Sequence, residues 1–257
     1  MGIGAAIAKK LATLEANLIL FARSGDKLAA LAKEIQALTD SQTKVFCTVV
    51  DVRDHAALST AVENVTKELS PGAIDVLINN AGLALGAPNS FPDLKVDDIV
   101  TMTETNINGL LFATHAVLNA GGMMARARGT ILNVTSTTAL EVPPFPGEAV
   151  YHTSKAAQEA FGNVLRTELQ GTNIKVLALR PGVVATHFHE QRVQYDRGMY
   201  DDFMQGFEPL VAEEVAEAAA FMLLQGEKVA VKALDVVPTA QRSLQVFDRS
   251  WNERNGK

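Results

Sequence analysis

The chain has 257 residues, 47% of them hydrophobic and 20% charged, a balance that supports one large α/β domain and excludes a disordered polymer. A formal net charge of -6 with no basic run argues against nucleic acid or an anionic membrane as the main partner. No apolar stretch is long enough to span a bilayer, no signal-peptide pattern opens the chain, and the single cysteine, Cys47, excludes an intrachain disulfide. A reducing, cytoplasmic compartment is expected.

The first residues read MGIGAAIAKKLATLEANLILFAR. Gly2, Ile3 and Gly4 form a glycine turn that opens a helix, on which Ile3, Ile7, Leu11 and Leu14 share one face. Such a turn normally hangs off a strand, and none precedes it here. Without that strand two neighbouring strands lack a hydrogen-bond partner, so the native protein is longer, or the chain is impaired, or another segment fills the gap. The first is the expectation, because the catalytic and cofactor residues downstream are intact. Apolar, β-branched runs then predict strands at NLILFA, KVFCTVVDV, IDVLINNAG, GTILNVTS, IKVLALRPG and VAVKALDVV, with Cys47 buried in the second. Helical stretches such as DHAALSTAVENVTKEL lie between them. This alternation predicts a doubly wound parallel sheet with right-handed crossovers, in a single Rossmann-like α/β domain over residues 1–257 that lacks its first strand. Residues 187–209 are polar, aromatic and too long for an ordinary connection, as a substrate lid would be. The tail, residues 240–257, would either cover the substrate pocket or dock on a neighbouring subunit.

Ligands of open α/β sheets bind at the carboxyl ends of the strands. Those ends carry Arg23 and Ser24, Asp51 and Val52, Asn79 to Gly82, Thr135 and Ser136, and Arg180 to Gly182. The strongest local signal is YHTSK, in which Tyr151 and Lys155 stand one helical turn apart. An ammonium beside a phenol stabilises the phenolate and lowers its pKa from about 10. A tyrosine tuned in this way exchanges a proton with a substrate oxygen near neutral pH. Taken alone, such a common pair is better explained as a surface feature; Ser136, at the end of the preceding strand, weakens that reading by bringing a hydroxyl to the same place.

These motifs in their order resemble the short-chain dehydrogenase/reductase family over nearly the whole chain. Gly2-Ile3-Gly4 resembles the second half of the family's glycine-rich turn, and Asp51-Val52 its adenine contact. Asn79, Ala81 and Gly82 belong to NNAG, similar to the signature of its fourth strand, and Asn106 to TNING. RPGVVAT, with Pro181, Gly182, Val184 and Thr186, resembles the segment that holds the nicotinamide carboxamide. The resemblance implies a catalytic set of Asn106, Ser136, Tyr151 and Lys155. In it Tyr151 is the acid or base, and Ser136 donates to the substrate oxygen. Lys155 lowers the tyrosine pKa and binds the nicotinamide ribose, while Asn106 holds a relay water. Tyr151 and Lys155 therefore also count among the cofactor contacts. The interval between Ser136 and Tyr151 is longer than usual for the family, which reshapes one wall of the pocket.

Where an NAD enzyme places a carboxylate, this chain has Ala22, followed by Arg23 and Ser24. Arginine suits a 2′-phosphate, so NADP(H) is the expected cofactor. The expected substrate is a small carbonyl compound or the matching secondary alcohol. No metal is expected: His187, His189 and Glu190 look like ligands, but no further cluster completes a site. The resemblance also implies a homodimer or homotetramer through the helix carrying Tyr151. The rival readings are a non-catalytic NADP(H)-binding protein and a partner subunit with an incomplete cofactor site.

Overall fold

The computed structural model describes residues 2–39, 43–69, 72–193 and 195–256. Met1 and Lys257, the limits of the expected domain, lie outside these residues, as does Gln194 within the expected lid.

The first half alternates as the apolar pattern predicts: α1 (Ile3–Ala12), β1 (Leu18–Ala22), α2 (Gly25–Leu38), β2 (Val45–Val49), α3 (His55–Glu68) and β3 (Val76–Asn79). Next come α4 (Val96–Thr103), a π turn at Glu104–Asn108, α5 (Gly109–Asn119) and β4 (Arg128–Val134). They are followed by α6 (Ala149–Glu168), β5 (Asn173–Pro181), α7 (His187–Arg192) and α8 (Arg197–Met204). The last elements are α9 (Ala212–Leu223), β6 (Ala233–Val236) and the short α10 (Trp251–Arg254). Helix starts have local causes: the Asp54 carboxylate caps α3 by accepting from the Ala57 N–H at 3.0 Å, and Asp196 caps α8 through Met199 at 3.0 Å.

All strand pairs are parallel, in two sheets: β1 with β2, and β3-β4-β5-β6 in that order. The break falls between β1 and β3. Edge strands lose cover on one side, and Val49 and Val76 are accordingly exposed. Cys47 is exposed too, contrary to the expectation of a buried strand residue. Its run is apolar enough for a central strand, but β2 lies at the edge of a two-stranded sheet.

Side chains alternate across the strands. Leu132, Val134, Leu177 and Leu179 pack under α1 and α9, while Ile131, Ile174 and Val176 face α5 and α6. Helix α1 joins the two sheets: Ala6 and Ile7 sit in the first of these clusters, and Ala8 and Ala12 pack on Leu18, Leu31 and Ile35. On the other face Ile19 and Phe21 of β1 share a cluster with Leu77 and Ile131. Gly4 lets α1 come this close, since a Cβ there would lie 2.4 Å from Asn80 Nδ2.

Candidate active site

Helix α6 carries Tyr151 in its first turn and Lys155 one turn later, both buried. Strand β4 ends just before Ser136, whose Oγ accepts from the Thr138 N–H at 3.1 Å and lies near enough to the Tyr151 phenol to pull its pKa down. Lys155 Nζ donates to the Val134 carbonyl at 3.1 Å and to Gln158 Oε1 at 3.2 Å. Gln158 Nε2 in turn donates to the Asn106 carbonyl at 2.6 Å. The π turn aims Asn106 inward: its side chain accepts from Leu83 N–H at 2.9 Å and donates to Leu83 O at 2.8 Å and Ser154 Oγ at 3.0 Å. A second brace joins the carriers of Ser136 and Tyr151. Thr135 Oγ1 donates to Glu159 Oε1 at 2.7 Å, and Arg180 grips the same carboxylate with two bonds of 2.9 Å.

Burial dominates the electrostatics. It pushes Tyr151 up to about 12, against the downward pull of the Arg192 charge and the nearby Ser136 hydroxyl. It brings Lys155 down to about 8. Burial outweighs the other influences on the phenol, and the Lys155 ammonium, whose hydrogen bonds go to Val134 and Gln158, lies 5.8 Å from the ring centroid.

One cavity of about 260 Å³ brings Ser136, Tyr151 and Lys155 together with Gly2, Ile3 and Gly82. Pro181, Gly182, Val184 and Thr186 line it as well. Other expected cofactor residues lie outside its wall. Gly4 packs on Asn80, and Val52 packs on Gly109. Ser24 immediately precedes α2, Ala81 is exposed, and Asn80 rather than Asn79 reaches the cavity. Asn79 is turned into the protein, donating to Thr114 Oγ1 at 3.0 Å and Asn133 Oδ1 at 2.9 Å. Arg23 is exposed, and its charge helps hold the Asp51 carboxyl below its usual range, after the larger effect of hydrogen bonds from Arg53.

Residues 187–209 are not irregular throughout: α7 and α8 occupy most of them. Phe188 packs on the Tyr151 ring at 5.6 Å between centroids. The tail docks on this region within the same chain. Phe247 stacks on Phe207 at 4.8 Å, and Arg249 donates to the Phe203 and Gln205 carbonyls at 2.6 and 2.8 Å. Gly206, with φ +80°, permits this contact, because a Cβ there would lie 2.0 Å from the Arg249 carbonyl oxygen. Leu244 of the tail reaches the cavity.

The family model described as short chain dehydrogenase matches residues 1–196. The chain belongs to the short-chain dehydrogenase family. It is 36% identical over 241 residues to the NADP-dependent 3-hydroxy acid dehydrogenase of Schizosaccharomyces pombe, covering 93% of this chain and 90% of that protein. It is 35% identical to sulfoacetaldehyde reductase 2 of Chromohalobacter salexigens, covering 93% and 91%. Among solved structures, the closed form of serine dehydrogenase complexed with NADP+ superposes with a TM-score of 0.81 at 32% identity, covering 93% of this chain and 92% of that one.

As a short-chain dehydrogenase the chain is an oxidoreductase, as its motifs implied. This dehydrogenase also has site features that its motifs did not announce. Glu148 and Arg192, both buried, form an ion pair, and Arg192, His189 and Phe188 line the cavity. The sequence signal was slight: an acid three residues before Tyr151, and a cation in a segment already read as a lid.

The site also fits a dinucleotide. A Cβ on Gly2 would meet nothing within 4 Å, leaving open space before α1, and the first turn of that ten-residue helix holds no acidic side chain. Its leading N–H groups are free of intrahelical bonds and favour a phosphate there.

Proposed function

We propose that this cavity is the active site of a cytoplasmic, homo-oligomeric enzyme that moves a hydride between NADP(H) and a short hydroxy acid or its carbonyl counterpart. The observation that carries this reading is that Ser136, Tyr151 and Lys155 line one cavity together with Gly2 before α1. The relatives named for 3-hydroxy acids, sulfoacetaldehyde and serine support the substrate size, and those named with NADP support the cofactor.

When bound, the cofactor supplies the hydride. Gly2 and Ile3 would hold its pyrophosphate, Arg23 its 2′-phosphate, and Pro181, Gly182, Val184 and Thr186 its nicotinamide end. The chain's own residues handle the oxygen and the proton. Ser136 Oγ–H donates to the substrate oxygen and stabilises the charge that develops there. Tyr151 gives that oxygen a proton in reduction, and its raised pKa keeps the phenol protonated for the task. In oxidation it accepts the proton. Asn106 and Gln158 hold Lys155 in place behind it.

Helices α7 and α8 serve as the lid, with Phe188 over Tyr151 excluding water. No described helix is long and apolar enough to cross a membrane. Ile107, Leu110, Leu111 and Phe161 of the π turn, α5 and α6 line an apolar hollow that supports pairing of subunits through these helices. The direct test is oxidation of NADPH, with NADH as control, against a panel of short carbonyl acids. Turnover selective for NADPH is expected, and a panel without turnover overturns the reading.

A further inference from the structure

The Glu148–Arg192 ion pair reaches the cavity wall through Arg192, with both residues almost fully shielded from solvent, at 3% and 5% exposure. Glu148 accepts from Arg192 Nε through Oε1 and from Nη2 through Oε2. The Phe145 ring covers the guanidinium, with 5.0 Å from Cζ to the centroid. Arg192 Nη1 reaches His189 Nδ1 at 3.4 Å, and burial with the nearby Arg192 charge keeps that imidazole neutral.

A guanidinium has five N–H bonds in a fixed plane. Glu148 accepts two and His189 one. Among the described residues no acceptor takes the other two, on a buried cation that lines the cavity holding Tyr151. Donors of a buried charge left without acceptors are costly, and an oxyanion in the cavity relieves that cost. The fork geometry matches the paired oxygens of a carboxylate or sulfonate.

We infer that Arg192 is the receptor for the acid group of the substrate, with Glu148 holding its guanidinium in place and two N–H bonds presented to the oxyanion. The inference rests on the reading of this cavity as the active site. It makes Arg192 a specificity-determining residue: a neutral ester of the same shape forfeits the charged bonds, and a site built for hydrogen bonds rejects a ligand that lacks them. Arg192 also acts on Tyr151, since its charge is the largest influence opposing burial of that phenol.

The test compares 3-hydroxypropanoate, 2-hydroxyethanesulfonate and methyl 3-hydroxypropanoate on the full chain, by NADP+-linked turnover and by ligand-observed NMR titration. The wild type is expected to prefer at least one acid over the ester by both measures. Because Arg192→Gln alone would strand a buried carboxylate, the main variant is Glu148→Gln/Arg192→Gln, which removes both charges and leaves neither partner as an unpaired buried ion. It should lower the acid-to-ester ratio of kcat/KM, and of binding, by about 30-fold or more. Arg192→Lys, which keeps the charge without the fork, should lower the ratio by a smaller factor and serves if the double variant does not fold. An unchanged ratio, or a wild type that binds neither acid better than the ester, overturns the inference. The NMR arm judges it even if turnover is nil, an outcome that counts instead against the active-site reading.

Discussion

Lys155 and Tyr151 stand one turn apart on α6, yet the ammonium makes its hydrogen bonds to the Val134 carbonyl and Gln158, 5.8 Å from the tyrosine ring centroid. Burial therefore governs both groups, holding the phenol protonated and bringing the ammonium down to about 8. Reduction, which needs the protonated phenol, should then proceed across neutral pH, whereas oxidation should gain rate as the pH rises and the phenolate becomes accessible. Opposite pH trends in kcat for the two directions are the expected readout. A shared bell centred near neutrality would show that the phenol is tuned otherwise.

Removing the hydroxyl isolates its role. Tyr151→Phe keeps the ring against Phe188 and removes only the hydroxyl. We expect kcat to fall by roughly 100- to 10,000-fold, the usual worth of a positioned acid or base. NADPH affinity, read by fluorescence titration, should stay within a few-fold. Full activity in this variant would remove Tyr151 from the chemistry.

Arg23 is exposed at the carboxyl end of β1, near enough to Asp51 for its charge to register there. With the 2′-phosphate as its partner, Arg23→Ala should weaken NADPH by about 1.5–3 kcal/mol, or roughly 10- to 150-fold, and leave NADH nearly unchanged. Equal losses for both nucleotides would assign Arg23 to adenine stacking or to solvent.

Gly4 tests how closely α1 must sit on the β3 end of the sheet. A methyl group there would meet Asn80 Nδ2 at 2.4 Å, so α1 or Asn80 has to move. Gly4→Ala should cost about 1–3 kcal/mol of stability, measured as a lower urea midpoint, although alanine is the better helix former. A midpoint that rises would show that the asparagine side chain gives way freely.

What was legible in the sequence was local. The strands announced themselves because each is an apolar run, and Ile131 with Leu132 or Val176 with Leu177 face opposite layers, so neither face needed polar residues. Tyr151 and Lys155 were legible because their spacing is one turn of one helix. Relationships across the chain were not. Nothing near Asn79 says that its amide turns away from the cavity toward Thr114 and Asn133, 35 and 54 positions away. Glu148 and Arg192 are 44 positions apart and belong to different elements, so their pairing emerges only when α7 folds over the start of α6. Cys47 shows the converse error, since an apolar run reveals a strand but not whether that strand lies at an edge.

His189 supplies a prediction about stability. Burial, reinforced by the Arg192 charge, depresses its pKa from 6.5 to about 3. Between those values the folded protein keeps the ring neutral while the unfolded chain binds a proton. Stability must therefore fall as the pH drops below about 6.5, and the fall from this group ends near pH 3. Its slope is up to about 1.4 kcal/mol per pH unit. His189→Gln removes the titration while retaining an amide near Arg192. We expect its urea midpoint to lose less than the wild type between pH 6.5 and 5, by a margin comparable to that slope. Parallel curves for the two proteins would mean that His189 is protonated in the fold, and that the guanidinium beside it has its acceptor elsewhere.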